Sequence, residues 1–415
     1  MAERVVLLSI ANLQLRDVTP GALTSLERLA RRGSLLELTP AAPGLAASAF
    51  TTVITGTPTR QHGIIGNLYF DRDPRRVRVA PLPDSVIQVP RLWEQVRERR
   101  PGACTMLWFP PNCLDADVEF GAWIDPQGTL VTRPGELAAE LTARFGLFPK
   151  RDGPGEPPRL AATRWMLQTA SALLSERSPD LAILRVPYLG QIARRYGPDG
   201  REAGRAVREL EPILAPLLAG LAPGTAVLAA TESIVTPVAE PARPNLVLRE
   251  MGMLHLQRTT DGGLTLDLDQ SQAFALTDHQ ICHIYLNNPH QAAPIAAAFA
   301  GEHGDGVARV LTQGQRAKFG LDHPRSGDLI LLADPDAWFA PDWWTRPAEE
   351  PRRDPSGLIR PALLGPLDPS QVQGSQGAPI PGPEYLGVLA TSEPIAPERP
   401  ILATELASLI LRHWP

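Results

Sequence analysis

Short, uniformly apolar β-prone runs alternate with helical periodicity from the first residues through Ala230, and nothing else in the sequence narrows the fold so far. Val5 to Ile10 is a continuous run of this kind, the pattern of a strand buried on both faces. Thr19-Pro20 then opens a helix in which Leu23, Leu26, Leu29 and Ala30 share a face, closed by Gly33. Leu35 to Leu38 is the next apolar run. The alternation continues as helix Leu92 to Arg99 before strand Cys104 to Trp108, and helix Leu160 to Leu174 before strand Leu181 to Val186. Helix Ala203 to Leu218 before strand Ala226 to Ala230 completes it. Helices interleaved with fully apolar strands predict an α/β fold whose mainly parallel sheet is covered on both faces.

From Asn245 to about Phe319 the texture changes. His255 to Gln257, Leu264 to Leu268 and Ile281 to Leu286 are short alternating runs, set around the turn signals Asp261-Gly262-Gly263 and Asn287-Asn288. Residues 241–319 therefore read as a smaller, cap-like α+β insertion, and 1–240 with 320–415 as the core. Leu329 to Leu332 reads as a return to the core, Trp338 to Gly382 as long loops rich in Pro, Asp and Arg, and Ala403 to His413 as a last helix. No internal repeat is visible.

Composition removes several function classes. Arginine carries nearly all the positive charge, because Lys150 and Lys318 are the only lysines, and the formal net charge is -5. Without a basic stripe the chain is not expected to bind nucleic acid. Cys104, Cys113 and Cys282 are too few and too scattered for a disulfide framework or a zinc cluster. The run after Met1 is too short for a signal peptide, and no apolar stretch approaches the roughly 18 residues that span a bilayer. A soluble, cytoplasmic protein without a membrane partner is the expectation.

In an open parallel sheet, function sits in the loops at the carboxyl ends of the strands. The residues there carry a resemblance. Thr55-Gly56-Thr57-Pro58-Thr59-Arg60-Gln61-His62-Gly63-Ile64-Ile65-Gly66-Asn67, ending in Phe70-Asp71, resembles the segment after the nucleophile in the type I phosphodiesterase/nucleotide pyrophosphatase family of the alkaline phosphatase superfamily. Arg195-Tyr196-Gly197-Pro198-Asp199, Asp278-His279-Gln280, His283-Ile284-Tyr285 and the run from Gly320 to Asp328 are similar to bacterial members as well. The resemblance covers Val5 to about Gly377 and implies an alkaline-phosphatase-like core. It also implies two metal ions, usually zinc, and a threonine that attacks phosphorus.

At the matching positions this chain departs from that pattern. Ala11-Asn12 stands where the first metal carboxylate belongs, and counting back ten residues from Gly56 puts Ala46 in place of the threonine. Gly190 and Arg194 replace an Asp and the His four residues after it, Glu232-Ser233 replaces an Asp-His pair, and Gln376 replaces the histidine of Gly-Ser-His-Gly. Only Asn67, whose amide would face the phosphate oxyanion, is kept. A catalytic zinc ion needs about three His, Asp, Glu or Cys ligands. One carboxylate with Ser233 and Gln376 is not such a set, so the zinc centre is expected to be lost. No other cofactor is expected. An ion pair between Arg194 and Glu232 is expected to fill part of its space.

The leading reading is a pseudoenzyme that binds a small-molecule or anionic ligand, or a protein partner, in the former cleft. Arg194, Asn67, Tyr188 and Gln376 are the groups expected to hold it. A metal-independent enzyme using Glu232, Arg194 or Tyr188 as acid or base is the alternative, and residual phosphodiesterase activity comes last. Ser233 is the candidate new hydroxyl, with no histidine placed to activate it. Asp278, His279 and His283 are a relocated metal site, a proton shuttle or structural. His62 and His323 read as turn residues, and Asp17 as a capping or solvated acid.

Overall fold

The computed structural model of the chain describes residues 2–150, 160–259, 262–301, 304–346, 349, 371–377, 382 and 385–414. Its principal strands in chain order are β1 (Arg4–Ile10), β2 (Ser34–Thr39), β3 (Thr105–Trp108), β4 (Phe120–Ile124), β5 (Leu130–Arg133), β6 (Leu181–Val186) and β7 (Thr225–Thr231). They continue as β8 (Ala273–Asp278), β9 (Ile281–Leu286), β10 (Val307–Leu311), β11 (Leu329–Ala333), β12 (Gly387–Thr391) and β13 (Ile401–Leu402). The main helices are α1 (Thr24–Arg32), α2 (Ala46–Thr55), α3 (Leu92–Arg99), α4 (Leu160–Arg177), α5 (Tyr188–Tyr196), α6 (Arg201–Ala219) and α7 (Leu406–Leu411).

Nine strands form one sheet in the order β13-β2-β12-β7-β1-β6-β3-β4-β5. β1 runs parallel to β6, with Val5 opposite Leu181 and Ile10 opposite Val186, and parallel to β7 on its other side. The continuous apolar character of β1 follows from this central place. Val6, Leu8 and Ile10 pack with Leu26 and Leu29 of α1, Ala170 of α4 and Leu210 of α6. Val5 and Leu7 pack on the opposite face with Phe50 of α2, Trp93 of α3 and Leu406 of α7. Each such buried aliphatic side chain contributes roughly 1.5–3 kcal/mol relative to exposure. Antiparallel β12 separates β2 from β7, so the sheet is mostly, not wholly, parallel.

Two expectations need correction. The first helix starts at Thr24, not at Thr19-Pro20. Gly21 adopts φ +92°, which a helix cannot absorb, and residues 19–22 form a turn instead. Its entry is held by Asp17, whose Oδ2 accepts from the Gln14 amide at 2.9 Å while burial pushes its pKa up to about 6. The second concerns Leu329–Ala333. It is apolar because it is the third strand of a separate four-stranded sheet, β8-β9-β11-β10, rather than a return to the core. That smaller sheet therefore draws on residues beyond 319.

The smaller sheet packs Cys282, Ile284, Leu329 and Leu331 against Leu248, Ile295 and Phe299. The hairpin His255–Arg258 with Leu264–Asp267 flanks it, as the alternation predicts. Asp261 of its turn lies outside the described residues, as does 350–370 of the Pro-rich segment. The described part of that segment is not free loop. Trp343 is buried among Phe70, Phe274 and Tyr285, and Gly374–Ser375 pairs antiparallel with Thr236–Pro237. The second pairing brings Gln376 beside Ser233. Among the described residues no helix is long and apolar enough to cross a membrane.

Candidate functional site

The carboxyl ends of β1, β6 and β7 meet at one edge of the large sheet, where the sequence places the cleft. Their backbones are stitched together directly. Ala11 N donates to Val186 O at 3.0 Å, Asn12 N to Ser233 O at 2.8 Å, and Glu232 N to Ile10 O at 3.0 Å. Asn12 sits at φ +58°, a conformation that asparagine tolerates better than most residues, and its Oδ1 accepts from Val235 N at 3.0 Å.

Ala11 and Gly190 face each other at this edge. A Cβ placed on Gly190 would lie 2.8 Å from the Ala11 Cβ, well inside van der Waals contact. The N-terminal turn of α5 packs on the end of β1, and a side chain at Gly190 has no room while Ala11 keeps its place. Gly190→Ala is expected to cost about 1–3 kcal/mol by overpacking. Adding Ala11→Gly should recover most of it, read from urea midpoints of the two variants. A single variant as stable as the parent would mean the contact relaxes without cost.

Glu232 is fully buried, and its partner is Arg185 on β6 in place of the expected Arg194. Arg185 Nε donates to Oε2 at 2.7 Å and Nη2 to Oε1 at 2.8 Å, a fork-to-fork pair, and Ser9 Oγ donates to Oε2 at 3.3 Å. The register explains the meeting, since Ser9 on β1 sits opposite Arg185 on β6. Arg194, at the far end of α5, instead places its charge near Asp278 and His279.

Asn67 is also engaged. Its Oδ1 accepts from the Ala47 amide at 3.0 Å, in the first turn of the helix that Ala46 opens. Its Nδ2 donates to Asp278 Oδ1 at 2.9 Å and its backbone N to Oδ2 at 2.6 Å. The Asp278 carboxylate thus takes the amide that the resemblance reserves for a phosphate oxyanion. Burial pushes the Asp278 pKa up to about 6, against the pull of Asn67 and Arg194.

Ser233 Oγ donates to Gln376 Oε1 at 3.3 Å, so its hydroxyl meets an amide and not a base. Gln376 Nε2 and His279 Nε2 are both buried and without a partner among the described residues. His279 stands at φ +59° in the turn between β8 and β9, and burial, with the Arg194 charge, lowers its pKa to about 3. It is a neutral imidazole in a conformation of the kind that clusters at functional sites.

Other candidates scatter. Tyr188 turns away from the sheet edge, its hydroxyl 3.0 Å from Glu209 Oε2 on α6, which removes it as an acid or base for the cleft. His283 lies on β9 with Nδ1 accepting from Gly327 N at 3.1 Å, and does not join His279. Among the described residues no three His, Cys, Asp or Glu side chains converge where a metal ion would sit. His62 Nδ1 accepts from Ile64 N at 3.1 Å and His323 Nδ1 from Arg325 N at 3.1 Å, the turn roles expected of both. Ser48 lies inside α2, and its hydroxyl meets Thr59 Oγ1 at 3.1 Å.

Arg185 was missed in the sequence reading, although an arginine inside the otherwise apolar run Leu181–Val186 signals a buried acid, and Glu232 at the end of the run two strands across is the carboxylate it meets.

The chain is similar in fold to phosphonoacetate hydrolase from Sinorhizobium meliloti 1021 in complex with phosphonoformate, at 15% identity and TM-score 0.67, over 100% of this chain and 96% of that one. It is similar also to murine ectonucleotide pyrophosphatase/phosphodiesterase 5, at 13% identity and TM-score 0.65, over 99% and 95%. No curated protein matches it in sequence. The model of the family described as type I phosphodiesterase/nucleotide pyrophosphatase matches residues 5–357. With that match over most of its length, and the fold of the same superfamily, the chain belongs to the type I phosphodiesterase/nucleotide pyrophosphatase family.

Proposed function

We propose that this family member is a pseudoenzyme for phosphodiester hydrolysis, binding a small polar or anionic molecule at the former catalytic edge without turning it over. The observation that carries the reading is the contact between Ala11 and Gly190, two positions where the resemblance implies metal carboxylates and where a Cβ on Gly190 would come within 2.8 Å of its neighbour. The pairing of Glu232 with Arg185 supports it, because that carboxylate's lone pairs already face a guanidinium. The residues present do not fit two zinc ions: Ala11, Gly190, Arg194, Ser233 and Gln376 supply no carboxylate, imidazole or thiolate between them. Ala46 presents a methyl group where a hydroxyl would attack.

Binding is supported by what remains polar. Gln376 Nε2 and His279 Nε2 are buried groups that gain from a partner, and the positive charge of Arg194 is close by. Relatives of this fold hold small anions. The Sinorhizobium hydrolase binds phosphonoformate, and an inactive threonine-to-alanine variant of the murine protein is in complex with AMP.

The test is elemental analysis of chain purified without chelator and dialysed against micromolar zinc, joined to a nitrophenyl phosphodiester assay with and without EDTA. The expected result is no retained zinc and background hydrolysis that EDTA leaves unchanged. About two zinc ions per chain, with hydrolysis that EDTA abolishes, would overturn the reading.

A further inference from the structure

Two motifs from the sequence play no part in the sheet-edge site, His283-Ile284-Tyr285 and the run from Gly320 to Asp328. They meet at one place in the smaller sheet. His283 Nδ1 accepts the Gly327 amide at 3.1 Å, Arg316 Nη1 donates to the Gly327 carbonyl at 2.6 Å, and Ser326 is the residue before it. The side chains that bond or adjoin this glycine each carry a buried polar atom with no partner among the described residues: His283 Nε2, Arg316 Nε and Ser326 Oγ. His283 and Ser326 are each 1% exposed.

The hydrogen-bond roles are fixed by geometry. Because Nδ1 accepts from an amide, the ring proton of neutral His283 is on Nε2, which is therefore a donor. The Nε of arginine is only ever a donor, and the serine hydroxyl can donate. A water molecule accepts two hydrogen bonds and must place two of its own, so it answers such a set poorly. A group that only accepts answers all three.

The surroundings favour negative charge. Arg72 Nη2 donates to the Ser326 carbonyl at 3.2 Å, and Arg316 Nη1 holds the Gly327 carbonyl. The nearby acid, Asp328, is already bound through Oδ2 to Leu286 N at 2.8 Å and Arg72 at 3.2 Å. Asp322, the other acid of the motif, is on the exposed part of the run.

We propose that Arg316, His283 and Ser326 form a buried site for one small monovalent anion of the chloride class, separate from the former catalytic edge. The anion completes the hydrogen bonding of the loop that joins the short helix Gln313–Arg316 to β11, and so ties that loop to β9.

The test is urea unfolding of the full chain at constant ionic strength while sodium gluconate is replaced by sodium chloride. The expected result is a midpoint that rises saturably with chloride, a rise lost in Arg316→Met and kept in the control Arg208→Met, an exposed position on α6. Crystals grown in sodium bromide provide the second measurement, with an anomalous peak expected within hydrogen-bond reach of His283 Nε2 and Arg316 Nε. No midpoint shift in the parent chain, a shift equal in parent and Arg316→Met, or bromide absent from that position would each overturn the proposal.

Discussion

Lowering the pH from 7 to 5 should destabilise this chain, with about 3 kcal/mol of the loss coming from three buried histidines that the fold keeps neutral set against two buried carboxyls. His62, His279 and His283 each have pKa values lowered from 6.5 to about 3, in every case first by burial. In the unfolded chain they take up protons below 6.5, and in the folded chain they do not until near 3. The stability they contribute is therefore complete above 6.5 and lost as pH falls below it, at about 1.4 kcal/mol per pH unit for each ring. By pH 5 that is roughly 2 kcal/mol each and roughly 6 for the three.

Two carboxyls work in the opposite sense. Asp17 and Asp278 are raised from 3.8 to about 6 by burial, so the folded chain holds their protons where the unfolded chain has released them. Their contribution is present below 3.8 and lost as pH rises through 6. Between pH 6 and 5 they return roughly 1.4 kcal/mol apiece, about half of what the histidines remove. Urea unfolding at pH 7.5 and 5.0 reads the balance. His62→Asn removes one ring and should flatten the slope by about a third of the histidine share. A stability that is flat or higher at pH 5 would mean that the three rings protonate without leaving the fold.

The same burial explains what sequence reasoning reached and what it did not. The order of strands and helices was legible because β1, β6 and β7 are apolar on both faces, and that pattern has one physical cause, a sheet covered on both sides. The candidate cleft was placed at the strand carboxyl ends, and β1, β6 and β7 do end together there. Leu329–Ala333 escaped because an apolar strand of a small sheet reads the same as one of a large sheet, and only its pairing with β9 and β10 tells them apart.

Within the site, partnership was the part hidden from sequence. Arg194 and Glu232 lie at positions where the resemblance implies metal ligands, yet α5 carries Arg194 toward Asp278 and His279 while Arg185 on β6 reaches Glu232 across the intervening β1. The family motif likewise puts Asn67 at the oxyanion, and nothing in its own segment announces an acid 211 residues away whose carboxylate binds it first. Contacts of that separation are set by tertiary register, which a local pattern does not encode.

Cutting Arg185 back should produce the largest loss of stability of any single change at the sheet edge. Glu232 is 0% exposed, and its carboxylate is held by both arms of Arg185 with Ser9 as a third donor. Arg185→Met would leave that charge buried with a serine hydroxyl alone, and breaking a buried pair from one side typically costs about 3–5 kcal/mol. Replacing both partners is a different matter, because desolvating two charges offsets most of what their attraction gains. Arg185→Met with Glu232→Met should lie within about 1–2 kcal/mol of the parent, or above it. Urea midpoints of the parent, both single variants and the double variant form the cycle that isolates the pair. A strongly destabilised single variant rescued by the second change means that the fold needs the Glu232 carboxylate only as the counterion of Arg185. An Arg185→Met chain as stable as the parent would mean that Glu232 has another partner, and would return it to the list of candidate functional groups.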